Sequence, residues 1–595
     1  MKLSFNRAFD QWWPKKQPPA LAWMSILWLL LIGWLAFFWH LGSTGLIDET
    51  EPLFAEAARQ MTLTGDWITP FFNGETRFDK PPLIYWLMAI AYLTLGVNEW
   101  AVRLPSAIAA MGLVSLGFYT LCRFGAPSTS GVQLQRSSKF KHPYWFAAAL
   151  GSAVMALNLE TIVWARSGVS DMLLSGCMGS ALLSFFIGYA QPAKPAVQAR
   201  WYLAFYVLIA AAILTKGPVG IVLPGLIIAS FLLYVGNARE VLREMRVFWG
   251  GLLIVAIALP WYVLVIWRNG RAYIDAFFGY HNLERFTGVV NGHAAPWYFY
   301  FLVVLIGFAP WSIYLPNAIA RLQFWQRSHW RSAHRSTHLG LFAVFWFVVV
   351  FGFFTIAVTK LPSYVLPLMP AAAILVALLF SADNSKNAAK NSLLFLQSGW
   401  LNVVLLLAVA AALFYLPDLI GSDPAISDLH KLIQRSGLPV LGGVIWTITA
   451  LVVAGLLLCR QWRWLWSVNL LGFVAFLIFV LTPAYFLVDQ ARQQPLRELS
   501  LIAAKVEQPS EGLIMIGFPK PSVVFYSHRP VTYIKIAEDG VAHIQKWVNN
   551  PMSPDSVLVL TQPKRVKKLG LQPPHYQNLA KVGAYQLIRV FKTPE

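Results

Sequence analysis

The chain has few cysteines and few charged residues for its length. Cysteine occurs three times in 595 residues, as Cys122, Cys177 and Cys459, without CxxC spacing. Disulfide frameworks and zinc-thiolate sites need paired or closely spaced cysteines, so we expect neither. Charged residues make up 12% of the chain and hydrophobic residues 57%. A composition so poor in charge is typical of a protein that lies largely within a membrane.

Acidic residues are scarcer than basic ones, with 27 Asp and Glu against 47 Lys and Arg and a net charge of +20. In a soluble protein this excess would suggest a nucleic-acid partner. Here the basic residues lie in short loops between hydrophobic runs, where the positive-inside bias of membrane proteins places them. We therefore expect membrane lipids around the chain and no nucleic-acid partner.

Uncharged apolar runs of about 20 residues, the length that crosses a hydrocarbon core, recur along the chain. The mean hydropathy is +0.56. These runs predict an α-helical polytopic membrane protein with about thirteen transmembrane helices. The predicted helices lie near 21–40, 103–122, 144–160, 171–190, 201–215, 217–235, 247–267, 297–316, 339–358, 364–381, 399–417, 437–458 and 464–487.

The apolar stretch 83–96 is short for a span. If both it and 103–122 crossed, the later basic loops would lie opposite the basic N-terminus. A single net crossing over 83–122 places these loops together on the inner side. We therefore predict that 83–96 is a re-entrant or surface helix, that the loop 41–82 is external and that the C-terminus is external.

The same count of crossings places several charged residues at or just below the external face. They are Asp48, Lys80, Asp171, Lys216, His281, Arg285 and Lys360. Charges at membrane depth are costly and usually face a cavity or a partner, so this one-sided group predicts a functional site. The alternative for Lys216 and Lys360 is that they end helices and merely extend to the interface.

The pattern of apolar and polar residues changes after the last long apolar run. Short apolar runs alternate with polar stretches over 488–595, which predicts a small α/β domain after a transmembrane domain over 1–487. The terminal domain has no glycine-rich phosphate loop and no nucleophile elbow. We therefore predict an accessory role for it.

Short motifs follow one another in a fixed order over roughly residues 20–380. They are Asp48-Glu49, Phe54-Ala-Glu56 with Arg59, Gly65-Asp66-Trp67, Lys80-Pro81-Pro82-Leu, Arg103-Leu-Pro105-Ser106, Ser170-Asp171-Met172, Thr215-Lys216-Gly217-Pro218, Glu284-Arg285-Phe286 and Lys360-Leu-Pro362-Ser-Tyr364. The series resembles the polyprenyl-phosphate-sugar-dependent C-type glycosyltransferases. Among these it is most similar to the lipid A 4-amino-4-deoxy-L-arabinose transferases and protein mannosyltransferase-like enzymes.

The resemblance implies a C-type glycosyltransferase fold and a monomeric, multi-pass enzyme of the bacterial inner membrane whose active site faces the periplasm. Such an enzyme moves a sugar, for example 4-amino-4-deoxy-L-arabinose or a hexose, with inversion from a polyprenyl-phosphate donor. The acceptor is an envelope glycolipid such as lipid A, or a protein. A transporter or flippase of lipid-linked sugars is the alternative, but it would show paired halves and midplane charges, and this chain shows neither.

Transfer from a lipid phosphate needs a carboxylate that orients or deprotonates the acceptor, and cations that stabilise the leaving phosphate. By resemblance, Asp48 is the candidate carboxylate and Asp171 a second acid. The predicted phosphate-binding residues are Lys80 and Arg285, with the hydroxyl donors Tyr85 and Tyr364. The supporting candidates are Glu49, Arg59, Lys216 and Lys360.

Two departures from the family pattern leave alternatives open. The acidic pair of the aminoarabinose transferases stands closer to the Phe/Tyr-Ala-Glu segment, so Glu51 is the alternative to Asp48 as the catalytic residue. The family also carries a Glu before the lysine of the Lys-Pro-Pro motif and a His at other spacings, where this chain has Asp79 and His281. This pair is either a divalent-metal site or a salt-bridged carboxylate beside an interfacial histidine.

Overall fold

The chain folds into a large bundle of helices followed by a small sheet. The computed structural model describes residues 19–125, 143–284, 288, 294–382, 388–421, 423, 426, 429–506, 508, 510–517, 519–569, 571 and 575–592. Long α-helices make up most of these residues, and the five-stranded sheet lies at the C-terminal end.

Among the described residues, ten helices are long and apolar enough to cross a membrane. They are Ala20–Phe38, Glu99–Phe124, Ser170–Tyr189, Pro195–Lys216, Val247–Asn269, Leu339–Ile356, Pro362–Ser381, Leu393–Phe414, Leu438–Leu458 and Trp462–Arg492. Each coincides with a span predicted from apolar run length. The prediction of an α-helical polytopic fold is thereby confirmed.

Three predicted spans take other forms. Two are helix pairs bent at a short break, Tyr144–Ala156 with Leu159–Ala165 at 63° and Phe299–Gly307 with Ser312–Arg321 at 114°. The third, Val219–Val235, is an apolar helix of 17 residues. All of the predicted spans therefore lie on apolar helices, although run length alone did not reveal the two bends.

Asn158 accounts for the first of these bends. Its side-chain oxygen accepts a hydrogen bond of 2.9 Å from the backbone N–H of Thr161, which caps the start of Leu159–Ala165. Its side-chain nitrogen donates to the carbonyl of Val154, 2.9 Å away, at the end of the preceding helix. One side chain thus satisfies both broken helix ends, which allows an interruption inside an apolar environment.

The short apolar stretch predicted at 83–96 is the helix Leu83–Leu95, with 13 residues. At 1.5 Å per residue such a helix is about 20 Å long, against a hydrocarbon core of about 30 Å. It is too short to span alone. This length agrees with the prediction of a re-entrant or surface helix.

The loop between the first two spans, predicted to be external, is itself structured. It contains the helix Glu51–Thr64 and the hairpin of β1 (Phe71–Phe72) and β2 (Glu75–Thr76). The turn residues Asn73 and Gly74 have φ of 55° and 84°, as the two-residue Asn-Gly hairpin requires. Other short helices are Ala238–Met245, Arg271–Tyr273, the π-helical Ile274–Glu284, Arg327–Ser332, Leu416–Leu419 and Leu429–Ser436.

Ser170–Tyr189 lies near the centre of the bundle, and nearly all of its side chains are buried. Close packing depends on Gly176, where an added Cβ would lie 3.0 Å from the carbonyl oxygen of Ala109 in the neighbouring helix. Small residues at such crossings let the backbones of membrane helices approach closely. This packing fixes the position of the helix that carries Asp171.

The C-terminal sheet contains β3 (Leu513–Ile516), β4 (Val531–Ile534), β5 (Ser556–Thr561), β6 (Tyr576–Val582) and β7 (Tyr585–Phe591). Its strand order is β4-β3-β5-β7-β6, with β4, β3 and β5 parallel and β7 antiparallel to both of its neighbours. The accompanying helices are Gln494–Val506, Pro521–Ser527, Ala537–Val548 and Pro563–Lys568. This is the small α/β unit that the alternating short runs predict.

Alternate residues of β3 pack on opposite faces of the sheet. Met515 belongs to one buried cluster with Leu499 of Gln494–Val506, and Ile516 belongs to the other with Ile544 of Ala537–Val548. The period-2 pattern explains why this strand is apolar throughout. The predicted domain boundary after residue 487 falls inside the helix Trp462–Arg492.

Candidate active site

A cavity of about 440 Å³ brings together residues that are far apart in sequence. Its polar lining comprises Asp79, Lys80, Asp171, Ser175, Lys216, His281, Ser363 and Tyr364. Its apolar lining comprises Leu174, Pro218, Val219, Val222, Phe277, Phe278, Phe353, Phe354, Ala357 and Pro367. Four predicted site residues, Lys80, Asp171, Lys216 and Tyr364, therefore meet here, together with the predicted metal pair Asp79 and His281.

Asp79 is the centre of one charged group. Its carboxylate lies 2.6 Å from Lys80 Nζ, 2.8 Å from Arg77 Nη2 and 3.1 Å from His281 Nδ1. Burial alone would raise the pKa of Asp79, but the charges of Lys80 and Arg77 hold it well below its usual range. Asp79 therefore stays ionised and holds Lys80 at the cavity, with Arg77 on its other oxygen.

Asp171 forms a second charged group with Lys216, whose Nζ lies 2.8 Å from Asp171 Oδ1. The Lys216 ammonium also lies 5.5 Å from the centre of the Tyr364 ring, within the range of a cation–π contact. Ser363 lines the same cavity as Asp171. The two groups together contain Arg77, Lys80 and Lys216 against two carboxylates, so positive charge is in excess.

A glycine places Lys216 at the cavity. Pro195–Lys216 ends at Gly217, which has φ of +77°, a backbone conformation that favours glycine. An added Cβ there would also lie 2.7 Å from the Phe277 ring. Both the backbone conformation at position 217 and the closeness of the Phe277 ring thus require glycine there. This glycine lies between Lys216 and the aromatic wall of the cavity.

The cavity combines cations with a wall of phenylalanine and aliphatic side chains. A phosphate could contact Lys80 and Lys216, and the attached hydrocarbon could lie against Phe277, Phe278 and Phe353. Ligand sites commonly have this form, with a mainly apolar lining and a few well-placed polar groups that orient the ligand. The arrangement fits a lipid phosphate better than a free, fully polar anion.

The residues of the predicted metal pair do meet, but their surroundings fit a metal ion poorly. Arg77 donates to one oxygen of Asp79, while Lys80 and His281 lie against the other. The described part of the chain contains no group of three or more His, Cys, Asp or Glu side chains placed to hold a metal. Protein metal sites usually supply three or four ligands, so we derive no step through a metal.

Glu51 lies outside the cavity and is fully engaged. Its carboxylate accepts hydrogen bonds from Arg103 Nε at 2.8 Å, Arg103 Nη2 at 2.9 Å, Ile47 N at 2.8 Å and Gly168 N at 2.6 Å. These four bonds use all the acceptor positions of a carboxylate. The Arg103 side chain is fully buried and also donates to the carbonyls of Leu41 and Gly45. Glu51 therefore organises the loop rather than facing a substrate.

Asp48 is half-buried and faces the C-terminal domain. Both of its carboxylate oxygens accept hydrogen bonds from Ser522, from the backbone N–H at 2.9 Å and from the hydroxyl at 2.5 Å. Glu49 is mostly exposed, with Lys520 Nζ at 3.5 Å. Neither Asp48 nor Glu49 lines the cavity. Phe54, which follows them in the same loop, packs its ring against Arg77 at 5.3 Å.

The remaining predicted residues do not line the cavity or lie outside the described residues. Arg59 forms a buried ion pair with Glu56 at 2.7 Å, and the buried Tyr85 ring stacks on Phe54 at 5.5 Å. Lys360 donates to the carbonyl of Ala357 at 2.5 Å, just behind the cavity wall. Arg285 lies outside the described residues, so its role as a phosphate ligand stays a prediction.

Sequence reasoning missed several residues of the site. Arg77 stands two positions before Asp79 and could have been assigned from its charge and its place in the same motif. Ser363 follows Pro362 in a motif that was recognised, but a lone serine carries no local signal that it lines a cavity. Phe277 and Phe278 could not be distinguished from other aromatic residues in a chain with 15% aromatic content.

Comparisons with known proteins agree with this layout. The family model for the C-terminal domain of the cyanobacterial RgtA-type glycosyltransferases matches residues 506–594. An undecaprenyl phosphate-alpha-4-amino-4-deoxy-L-arabinose arabinosyl transferase of Shewanella sediminis is 29% identical over 337 residues, which cover 57% of this chain and 56% of the relative. This match thus spans little more than half of the relative's length.

Two further relatives match larger shares of their own length. An uncharacterized protein of Aquifex aeolicus is 30% identical over 338 residues, covering 57% of this chain and 68% of that protein. The undecaprenyl phosphate-alpha-4-amino-4-deoxy-L-arabinose arabinosyl transferase 2 of Proteus mirabilis is 27% identical over 438 residues, covering 73% of this chain and 72% of the relative.

The fold is similar to that of ArnT from Cupriavidus metallidurans in its crystal structure with bound undecaprenyl phosphate. The TM-score is 0.74 at 20% sequence identity, and the match covers 96% of this chain and 98% of that protein. The apo structure of the same protein matches with a TM-score of 0.73. The likeness covers both the helical bundle and the terminal sheet, which confirms the predicted fold.

Proposed function

This chain belongs to the C-type glycosyltransferases, and from that premise we propose that it transfers a sugar from a polyprenyl phosphate to an acceptor of the bacterial envelope. The observation that carries the proposal is the cavity, in which Lys80 and Lys216 adjoin an aromatic and aliphatic wall. The proposed acceptor is a glycolipid such as lipid A, or a protein. The named relatives are transferases, and nothing in these comparisons favours a flippase.

In the proposed reaction an acceptor oxygen attacks the anomeric carbon of the donor sugar. The bond between that carbon and the phosphate oxygen breaks, and its electron pair leaves with the polyprenyl phosphate. Lys80 and Lys216 stabilise the additional negative charge on the leaving phosphate. The acceptor proton passes to the carboxylate of Asp48, and the attack from the opposite face inverts the sugar.

Purified protein should release polyprenyl phosphate from a radiolabelled polyprenyl-phosphate sugar and transfer the label to an envelope acceptor. A chelator should leave this rate within about two-fold, because the oxygens of Asp79 already contact Arg77 and Lys80. A transporter would move the donor without cleaving it, so intact donor after incubation with a range of acceptors would contradict the proposal. Loss of transfer in the chelator, with recovery on adding back a divalent ion, would establish the metal site.

We also propose that the site faces the periplasm. In a cysteine-free background, Ser43→Cys in the external loop should react with a membrane-impermeant thiol reagent added to intact spheroplasts. Ser328→Cys, which is equally exposed but lies in a loop predicted to be internal, should react only after the membrane is opened. Labelling of Ser328→Cys from outside would reverse the predicted sidedness.

A further inference from the structure

The C-terminal domain holds the segment that carries Asp48. The Ser522 backbone N–H donates to Asp48 Oδ1 at 2.9 Å, and the Ser522 hydroxyl donates to Asp48 Oδ2 at 2.5 Å. One residue of the terminal domain therefore binds both oxygens of the candidate catalytic carboxylate. The two residues stand 474 positions apart in the chain.

Further contacts fix the backbone just before Asp48. The Tyr526 hydroxyl accepts a hydrogen bond of 2.9 Å from Leu46 N and donates one of 2.9 Å to Glu99. Gly45 N donates to Asp489 at 2.7 Å. The segment is thus held at three positions by groups from the C-terminal part of the chain, which leaves Asp48 little freedom to turn.

A second part of the external loop docks on the same domain. The Asn73 side chain accepts a hydrogen bond of 2.7 Å from Val531 N and donates one of 2.9 Å to Val531 O. These bonds engage the edge strand β4 through the tip of the β1–β2 hairpin, and Arg77 follows this hairpin directly. The terminal domain therefore contacts both the carboxylate segment and the hairpin next to the cationic group.

We propose that Ser522 is a positioning residue of the transfer reaction, through which the C-terminal domain holds Asp48 in the orientation that receives the acceptor. This inference rests on the proposed function. A carboxylate has about four acceptor positions, so the two bonds from Ser522 leave room for an acceptor hydroxyl. Fixing the carboxylate before the acceptor arrives lowers the entropic cost of the reactive geometry.

The charge of Asp48 depends on the same contacts. Burial raises the pKa of Asp48 to about 6, while the bonds from Ser522 and the charge of Lys520 oppose the rise and Glu49 adds to it. Burial raises the pKa of the Tyr533 and Tyr585 hydroxyls of the sheet, and the negative charge of Asp48 adds to both rises. Removing the Ser522 hydroxyl should raise the pKa of Asp48 further, so that less of the base is ionised at a given pH.

The test compares pH profiles of kcat/KM for Ser522→Ala and Ser527→Ala. Ser527 is buried in the same helix, and in the described part of the chain its hydroxyl has no hydrogen-bond partner. Ser522→Ala should shift the acidic limb of the profile to a pH about one unit higher. At pH values below that limb, kcat/KM should therefore be about ten-fold lower than in the unaltered enzyme. Ser522→Thr should restore the profile, and Ser527→Ala should leave it unchanged.

Two outcomes separate this inference from the proposed function. If Asp48→Asn retains full turnover, Asp48 is not the base and the proposed mechanism fails whatever Ser522 does. If Asp48→Asn is inactive while Ser522→Ala keeps the rate and acidic limb of the unaltered enzyme, only the positioning role is overturned. If the alanine variant does not fold, Ser522→Cys, which keeps the size of the side chain but is only a weak hydrogen-bond donor, replaces it in this comparison.

Discussion

Replacing Asp48 with asparagine should abolish sugar transfer while donor-lipid binding stays within a few-fold. The amide keeps the shape of the carboxylate but cannot take the acceptor proton, and the loss of such a base typically costs about 100- to 10,000-fold in rate. Donor binding should survive because Asp48 contacts Ser522, whereas the cations lie at the cavity. The measurements are turnover of radiolabelled donor and equilibrium binding of the same lipid.

Glu51→Gln is the matched comparison, because Glu51 is the alternative catalytic carboxylate. Its side chain forms a fully buried ion pair with Arg103. Removing one partner of such a pair typically costs about 3–5 kcal/mol of folding free energy. We expect a clear loss of thermal stability in detergent, with activity falling together with the folded fraction. A stable but inactive Glu51→Gln beside an active Asp48→Asn would move the catalytic role to Glu51.

The helical bundle could be predicted because the bilayer imposes a length and an apolar composition on each span. The convergence of Lys80, Asp171, Lys216 and Tyr364 could be predicted only in part. Counting crossings placed Lys80, Asp171 and Lys216 at one face, and the ordered motifs, which include Tyr364, indicated a common site. Their pairing, such as Asp171 with Lys216, depends on how the helices pack around Gly176 and Gly217 and has no signal in either motif.

The acidic segment shows where sequence reasoning fails. Asp48 and Glu51 stand close together in one motif, but the fold gives them different surroundings. Glu51 pairs with Arg103, 52 positions away, and Asp48 bonds to Ser522, 474 positions away. Such long-range partners follow from tertiary packing alone. The prediction of an accessory terminal domain rested on the domain's own motifs and not on the residues that it contacts, such as Asp48.

Lys80→Ala should reduce transfer about 100- to 1000-fold and should also weaken donor binding. The desolvated charge of Lys80 stabilises the bound donor phosphate, and it stabilises the leaving phosphate more because negative charge builds up there during the reaction. Losing this charge should weaken the free energy of donor binding by roughly 2–5 kcal/mol at most. The fold should survive, because Asp79 keeps Arg77 at 2.8 Å as an ion-pair partner. Lys216→Ala would be less informative, because it removes the ion-pair partner of Asp171 inside a spanning helix.

Lys505→Ala provides the control, since it removes an equal charge from an exposed position on Gln494–Val506 and should leave both quantities unchanged. Lys80→Arg should bind donor better than Lys80→Ala, because it keeps a positive charge near the phosphate. Its transfer rate should stay below that of the unaltered enzyme, because the longer planar guanidinium cannot occupy the place of a compact ammonium 2.6 Å from Asp79. If Lys80→Ala bound and transferred normally, Lys80 would serve only to neutralise Asp79, and Lys216 would be the remaining described lysine of the cavity available to the leaving phosphate.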